Sequence, residues 1–411
     1  MQSQIRCELT AGQSGLTQFP RSLAHCKQED SNLSELDYNQ LAMSSPLVCV
    51  QDYEEQATRI LPRSALDYYR SGATREITLQ ENKDAIKRWY IRPRFLRDVS
   101  NRSMQTTVLG HKVNVPFGVA PTAMQRMATP EGENANARAA GKIGTVFTLS
   151  TISTTSIEEI ASEAPDTLRF FQLYIYKDRE VTASLVKRAE AAGFSALVLT
   201  VDAPHFGIRL ADLRNKFTLP PHLGMANFQT GDEKSNRVNI SSGGSGINEY
   251  VKSLFDPSLT WDDVAWLKRL TNLPIVLKGI LTAEDALLGL KAGAMGIWVS
   301  NHGARQVDGV PPSIEALSEI VKAVDGRCEV YVDGGFSEGT DIFKALALGA
   351  RMVFLGRPLL WGLACGGEEG ALNILNILKG ELDSTMALSG CATINDITKD
   401  MVIRKDHYSC L

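Results

Sequence analysis

The sequence predicts an α/β fold, a TIM (β/α)8 barrel with an N-terminal helical lead-in and a long lid loop after the fourth strand. From about Val115 onward, eight short apolar runs alternate with amphipathic helical segments. The runs are apolar almost throughout, as expected for parallel strands that are buried on both faces. Eight strand–helix units are also the number that closes this barrel. An open doubly wound sheet is the alternative, but no GxGxxG motif follows the first run.

The predicted strands are separated by segments with helical periodicity, and several of these segments end in glycine, as helices often do. In chain order the strands are predicted at residues 116–120, 145–150, 168–174, 196–201, 274–278, 296–300, 329–333 and 352–356. The helical lead-in is predicted at residues 50–100, with "LPRSALDYYRSGA" at its centre. About seventy residues separate the fourth strand from the fifth, a length typical of active-site lids or disordered loops. We therefore expect a lid in this connection.

Length and composition indicate one large globular chain without nucleic-acid or membrane partners. The 411 residues suit a single barrel with insertions, and 44% hydrophobic with 22% charged residues is ordinary. A net charge of −4 creates no field that would attract nucleic acid or an anionic membrane. No apolar run approaches the ~20 residues that cross a bilayer. The seven cysteines are scattered, which indicates reduced thiols, and no histidine or cysteine pair has metal-ligand spacing.

The two ends of the chain lie outside the predicted barrel domain, which spans residues 46–400. Residues 1–45 are polar and mixed in charge, without the marks of a transit or signal peptide, so we expect a flexible extension. Residues 401–411 are predicted to be a C-terminal tail. The final "SCL" looks like a peroxisomal address of the Ser-Lys-Leu type in which Cys410 replaces the basic residue. The expected location is the peroxisome; an ordinary frayed terminus, and hence a cytoplasmic protein, is the alternative.

Almost every predicted strand ends in or near a polar or ionisable residue, at the end of the barrel where TIM-barrel enzymes have their active sites. A lysine directly after the apolar "PIVL" is not what a random surface turn would contain. The residues at these strand ends are Ala120, Pro121, Thr122, Ser150, Gln172, Tyr174, Thr200, Asp202, Lys278, Ser300, His302 and Arg305.

Glycine-rich turns follow the seventh and eighth strands, where this fold usually binds phosphate. The first turn contains Asp333, Gly334 and Gly335, and the second contains Gly356 and Arg357. Glycine lets backbone N–H groups approach an anion, and arginine adds a bidentate charge. Either turn alone is more often only a turn, but the pair favours a phosphate site.

His302 and Arg305 leave the sixth strand together and suggest acid–base chemistry on an anionic substrate. A lone histidine is usually structural, but Asp202 from the fourth strand could orient this ring and stabilise its protonated form. Arg305 and Arg209 could clamp a carboxylate, although Arg209 could equally be a solvated surface residue. Tyr68 and Tyr174 could add phenol hydrogen bonds, although tyrosines are more often packing residues.

The order of these motifs resembles the FMN-dependent 2-hydroxy-acid oxidases and dehydrogenases, which include glycolate oxidase, lactate oxidase and mandelate dehydrogenase. "SNHGARQ" resembles the active-site signature of that family. The resemblance covers about residues 46–400 and extends in order through "DYYRSGA", "RPRFL", "APTAMQRMATPEGE", "FFQLYIYKDR", "LTVDAP", "LPIVLKGI", "DGVPPSIEAL", "DIFKALALGA", "GRP" and "MALSG".

The resemblance implies that FMN is the cofactor and that an (S)-2-hydroxy acid is oxidised to the 2-oxo acid while O2 becomes H2O2. It implies a catalytic set of His302 as general base, Asp202 as its partner, Lys278 near flavin N1 and the C2 carbonyl, and Tyr174. The substrate would contact Tyr68, Tyr174, Arg209, His302 and Arg305. FMN would contact Ala120, Pro121, Thr122, Ser150, Gln172, Thr200, Lys278, Ser300, Asp333, Gly334, Gly335, Gly356 and Arg357. A homotetramer is also implied.

Two other functions stay open at the level of sequence. The first is a dehydrogenase of the same family that uses another electron acceptor. The second is an FMN-binding barrel without activity, which only the altered phosphate turn supports.

Three departures from the family pattern carry expectations of their own. The family usually has a basic residue after "DGGV", whereas this chain has Ser337 and Glu338 after "DGGF", so we expect weaker FMN retention. Glycolate oxidases usually have tryptophan where this chain has Ile152, so we expect a wider pocket for longer or branched acids. His205 and Phe206 also stand where relatives differ, which leaves the pocket shape open.

Overall fold

The structure, a computed structural model, describes residues 46–228 and 254–408. Its strands are β1 (Trp89–Ile91), β2 (Thr106–Val108), β3 (His111–Val113), β4 (Phe117–Val119), β5 (Val146–Leu149), β6 (Leu168–Leu173), β7 (Ala196–Thr200), β8 (Ile275–Ile280), β9 (Gly296–Val299), β10 (Glu329–Asp333), β11 (Met352–Leu355) and β12 (Val402–Arg404). Strands β4 to β11 run parallel and close into a barrel in the order β10-β11-β4-β5-β6-β7-β8-β9. Each coincides with one predicted run, so the predicted TIM barrel is confirmed.

Strand β8 is longer than predicted. It continues past Lys278 to Ile280, and its register against β9 shifts between these two residues. Gly279 between them has a φ of +108°, a conformation that residues with a Cβ rarely adopt. Lys278, predicted as the last residue of the strand, is therefore followed by two more strand residues, and its side chain is buried in the barrel.

Large side chains fill the barrel interior. Trp298 stacks on Phe354 with 3.9 Å between the ring centroids. The β2–β3 hairpin closes the amino end, because Val108 belongs to the same apolar cluster and the Leu109 N–H donates to the Glu329 carboxylate at the start of β10. Within the described residues, the amino end of the barrel is thus closed by apolar packing, which leaves the carboxyl end for a ligand.

The helices pack around the barrel, and several begin at a residue whose side chain accepts a hydrogen bond from their first turn. Ser156, Asp178 and Thr282 cap helices in this way. The helices span Val50–Ile60, Arg63–Arg70, Ile77–Ile86, Gly132–Ile143, Ile157–Glu163, Arg179–Ala191, Leu210–Arg214, Trp261–Leu270, Ala283–Ala292, Ser313–Val324, Gly339–Ala347, Arg357–Ser389 and Lys405–Tyr408, and the helix from Arg357 is interrupted at Gly366 and Gly367.

The first three helices form the predicted lead-in before β1. Near the other end, β12 pairs antiparallel with β1, so the chain after residue 400 begins with a paired strand where a tail was predicted. The described residues from Leu47 onward belong to one compact unit. The extension 1–45, residues 229–253 of the expected lid and the final "SCL" lie outside the described residues. In the described part, no helix has the length and apolarity to cross a membrane.

Candidate active site

One pocket at the carboxyl end of the barrel collects the predicted site residues. Asp202 and Ser300 do not line it, but each is hydrogen-bonded to residues that do. The other predicted residues all line it, namely Tyr68, Ala120, Pro121, Thr122, Ser150, Gln172, Tyr174, Thr200, Arg209, Lys278, His302, Arg305, Asp333, Gly334, Gly335, Gly356 and Arg357. Strands far apart in sequence therefore converge on a single site.

His302 is held by its own turn and by Asp202. It lies in the short 3-10 helix after β9, with a φ of +59°, and its backbone N–H donates to Ser300 Oγ over 3.0 Å. Its Nδ1 lies 2.9 Å from Asp202 Oδ1. A carboxylate at this distance assigns the proton to Nδ1, which leaves Nε2 as an acceptor.

The electrostatics favour a neutral imidazole beside an ionised carboxylate. Burial lowers the pKa of His302 and outweighs the opposing effect of Asp202. Burial acts to raise the pKa of Asp202, but the charge and hydrogen bond of His302, together with Lys278, hold it below its usual value. His302 is therefore unprotonated near neutral pH and can accept a proton.

The bulge in β8 makes room for this pair. A Cβ on Gly279 would come within 2.5 Å of Asp202 Cγ, a distance that real contacts do not allow. Within the described residues, Asp202 Oδ2 is a buried oxygen that has no hydrogen-bond partner. The position of the base thus depends on a glycine in the neighbouring strand.

Arg209, which is buried, and Arg305, which is partly buried, form a cationic cluster with Tyr68. The Arg305 guanidinium lies 4.8 Å from the Tyr68 ring centroid and donates to the backbone carbonyls of Tyr68 and Ser71. Arg209 lies over Phe206 at 5.1 Å, and its Nη1 is 3.4 Å from Asp212 Oδ2. Burial, and then the charge of Arg209, lower the pKa of Arg305. Such a cluster is stabilised by an incoming anion.

The Arg209 side chain also has spare hydrogen-bonding capacity. Only 2% of it is exposed, and its Nε is a buried donor without a partner among the described residues. Asp212 is itself buried, which raises its pKa despite the nearby arginines. A single Asp212 contact at 3.4 Å leaves most of the guanidinium free for a ligand carboxylate.

Lys278 belongs to a network around Asp333. Its Nζ lies 3.0 Å from Ser300 Oγ and 3.3 Å from Asp333 Oδ2. Ser300 Oγ and Trp298 Nε1 donate to the two oxygens of the same carboxylate, over 2.6 and 3.0 Å. A buried cation is thereby fixed at the pocket floor.

Three predicted cofactor residues are joined by one amide. Gln172 Nε2 donates to Thr200 Oγ1 over 3.0 Å, and Gln172 Oε1 accepts from Ser150 Oγ over 3.3 Å. All three side chains are buried, so their polar atoms are oriented before any ligand arrives.

Arg357 binds protein carbonyls in this structure. It donates to the backbone oxygens of Tyr69, Gly303 and Ser71 over 2.9, 3.0 and 3.0 Å. The guanidinium thereby ties the helical lead-in to the His302 turn. Its predicted phosphate contact stays a prediction, and it would have to use the remaining N–H groups.

In the altered turn after β10, Ser337 and Glu338 have different surroundings. Ser337 lines the pocket, whereas Glu338 is exposed and caps the next helix together with Asp341. The backbone N–H groups of Ser337 and Glu338 both donate to Asp341 Oδ2, over 3.0 and 3.1 Å. The extra negative charge therefore faces solvent, while the lost basic side chain leaves a neutral hydroxyl in the pocket.

The other two departures from the family pattern, at Ile152 and at His205 and Phe206, differ in whether their side chains line the pocket. Ile152 and Phe206 are buried and line the pocket. His205 is exposed and does not line it. Ile152 and Phe206 therefore set the pocket shape near Tyr174.

Sequence reasoning missed several residues of the site. Asp212 is three residues after Arg209 in a short helix, a spacing that could have revealed the pair. Asn82, Lys83 and Glu54 line the pocket from the lead-in helices and belong to no motif. In the described ranges, no cluster of three or more His, Cys, Asp or Glu side chains could hold a metal ion.

Comparison with known proteins gives a consistent set of similarities. A family model described as FMN-dependent dehydrogenase matches residues 57–404. The chain is 52% identical to 2-hydroxyacid oxidase 1 of Homo sapiens over 356 residues, which cover 87% of this chain and 96% of that protein. It is 54% identical to glycolate oxidase 1 of Zea mays over 354 residues, which cover 86% and 95%.

A solved structure is similar over the same region. The crystal structure of mandelate oxidase with (S)-4-hydroxymandelic acid has a TM-score of 0.82 and 42% sequence identity to this chain. The match covers 86% of this chain and 98% of that one.

Proposed function

This chain belongs to the FMN-dependent dehydrogenase family, and from that premise we propose that it is an (S)-2-hydroxy-acid oxidase that reduces O2 to H2O2. The observation that carries the proposal is that His302, held by Asp202, lines one pocket with Arg209 and Arg305. A base and a carboxylate clamp that share one pocket suit a small substrate that carries both an acid and a hydroxyl.

The pocket fits FMN, the cofactor of the family. Gly334 and Gly335 have φ values of +104° and +93°, so their turn presents backbone to a ligand as glycine turns at phosphate sites do. The Gln172 network would meet polar ring atoms, and Lys278 would offer its charge to the ring system. Bound FMN would supply the two-electron acceptor that the protein side chains lack.

The arginine cluster would bind and orient the substrate carboxylate. Arg305 presents a rigid fork that is already fixed by backbone carbonyls, and Arg209 adds a second charge from the β7–β8 connection. Tyr68 and Tyr174 would add phenol hydrogen bonds; burial raises the pKa of both, so they stay neutral donors.

His302 Nε2 would accept the proton that the substrate loses. Asp202 would hold the ring and stabilise the imidazolium that forms. Because burial lowers the pKa of His302, the base is available at neutral pH, and its activity should be lost as the pH falls through that lowered pKa.

The test is the visible spectrum of the purified protein under anaerobic conditions. Addition of glycolate or 2-hydroxyoctanoate should bleach the flavin bands, and readmitted air should restore them with release of H2O2. Bleaching with slow recovery in air would instead identify a dehydrogenase that uses another acceptor. Bands that no 2-hydroxy acid bleaches would support the non-catalytic barrel.

Location and assembly are finer parts of the proposal. We propose a peroxisomal homotetramer, on the resemblance to the family and on "SCL" at residues 409–411. Light scattering should give four times the 44.9 kDa chain mass, and import of a tagged chain should stop when Leu411 is removed. A monomer, or unchanged import, would contradict these two points.

A further inference from the structure

One ion pair at the phosphate end of the pocket belongs to no sequence motif. Lys83 and Glu54 both line the pocket, and Lys83 Nζ lies 3.7 Å from Glu54 Oε2. Their side chains remain 47% and 40% exposed. Exposed pairs of this kind are weak. The Lys83 ammonium can therefore leave Glu54 for a stronger anion.

Helix packing holds Lys83 beside the glycine turn. A Cβ on Gly335 would come within 2.6 Å of the Asn82 carbonyl oxygen, so the backbone just before Lys83 touches this turn. Asn82 is fixed in turn by reciprocal side-chain hydrogen bonds with Asn301, over 3.0 and 2.7 Å. Lys83 thus combines a rigid backbone position with a long flexible side chain.

The other groups near this turn are already committed. Arg357 donates to three backbone carbonyls, which fix its orientation. The N–H groups of Ser337 and Glu338 donate to Asp341, and the Ser337 side chain is uncharged. Among the described residues that line this part of the pocket, Lys83 is the cation that can move toward a ligand without breaking buried hydrogen bonds.

We propose that Lys83 binds the phosphate of FMN and that Glu54 competes with the phosphate for Lys83. A phosphate carries about −1.5 to −2 charges at pH 7 and three acceptor oxygens. It therefore attracts the Lys83 ammonium more strongly than one exposed carboxylate does. With FMN bound, Glu54 would face the phosphate as a like charge. The inference rests on the proposed cofactor and not on the identity of the hydroxy acid.

The first test is titration of the apoprotein with FMN and with riboflavin, which lacks the phosphate. Quenching of the flavin fluorescence reports binding. Lys83→Gln should raise the FMN dissociation constant about tenfold, as for the loss of one charge-assisted hydrogen bond. The riboflavin dissociation constant should not change. Lys83→Arg should restore most of the FMN affinity.

The second test uses Glu54, where a substitution should change the FMN dissociation constant in the opposite direction. Glu54→Gln should lower the FMN dissociation constant a few-fold and leave riboflavin binding unchanged. Added salt should weaken FMN binding less in Lys83→Gln than in the unmodified protein, because one phosphate contact is missing.

Lys87→Gln is the matched control. Lys87 follows the same helix, its side chain is 70% exposed, and it pairs with Asp84 at 3.2 Å without lining the pocket. This variant should bind both flavins normally.

Three outcomes would overturn the inference. These are normal FMN binding by Lys83→Gln, equal losses for FMN and riboflavin, or the same loss in the Lys87 variant. An unmodified protein that fails to bind FMN would overturn the cofactor assignment as well. A protein that binds FMN but is not bleached by hydroxy acids would overturn only the oxidase proposal.

Discussion

At the substrate end of the pocket, His302, Asp202 and Arg209 are largely or fully buried, and each already has a partner at a fixed distance. At the phosphate end, Lys83 and Glu54 keep nearly half of their side-chain exposure and form only a loose pair. The barrel strands and the turns that follow them hold the residues of the first group in position. The second group is carried by the lead-in helices and lies at the rim.

This difference separates two kinds of energetic requirement. Buried charges in a low-dielectric site interact strongly with the reacting groups, and their rearrangement costs much free energy. Substitutions there should therefore change the rate. Exposed charges are screened and adjustable, so substitutions at the rim should change cofactor affinity by modest factors. The variants below test whether rate and FMN binding can be changed independently.

His302→Gln should have the largest effect. It removes the acceptor at Nε2 while it keeps a polar side chain of similar size, so kcat should fall by about 10³-fold, within the range for a lost general base. Stopped-flow bleaching of the bound flavin measures this step directly. FMN content should stay normal, since the phosphate end is untouched. The exposed His111→Gln should behave like the unmodified protein, and a loss below tenfold in His302→Gln would mean that another group is the base.

Arg305→Lys should come next, with a loss of about 10²-fold in kcat/KM that arises mainly in KM. Lysine keeps the charge but lacks the planar fork that binds a carboxylate in two places. Steady-state kinetics with 2-hydroxyoctanoate separate the two parameters, and Arg59→Lys, at an exposed position of the first lead-in helix, is the control. A loss confined to FMN content would show that Arg305 serves the cofactor end instead.

The same two ends explain what could be predicted from the sequence. The barrel was predictable because eight buried strands leave eight apolar runs, and the strand-end residues were predictable because short motifs carry them. The continuation of β8 past Lys278, with its register shift, was not predictable, since it depends on the conformation of Gly279. Lys83 was missed because its place in the pocket arises from the packing of Asn82 on Gly335, far away in sequence.

Two glycines give a matched comparison of the ends. Gly279 and Gly335 both have positive φ, and a Cβ would meet Asp202 Cγ at 2.5 Å in the first case and the Asn82 carbonyl at 2.6 Å in the second. Gly279→Ala should displace the partner of the base and lower the bleaching rate, about tenfold or more, with FMN retained. Gly335→Ala should lower FMN content, while the rate per bound FMN stays near normal.

Gly326→Ala controls for backbone strain alone. Gly326 has a φ of +70°, and no atom lies within 4 Å of its Cβ position. In all three variants the free energy of unfolding should fall by about 1 kcal/mol, because alanine disfavours the left-handed conformation. Only Gly279→Ala and Gly335→Ala should also change the site. If Gly279→Ala and Gly335→Ala had the same effect on rate and FMN content, the two ends would not be independent.

The smallest expected effect concerns the choice of substrate. Ile152 is 4% exposed and lines the pocket with Tyr174 and Phe206. Ile152→Trp should fill space beside the substrate side chain, so kcat/KM for 2-hydroxyoctanoate should fall about tenfold while that for glycolate changes little. Ile152→Val is the size control and should favour the longer acid at least as well as the unmodified protein. Because the substitution changes no charged group, FMN affinity and the flavin reduction rate with glycolate should both stay near normal. A variant that lost activity on both acids equally would show that this position supports the site as a whole and does not select the acid.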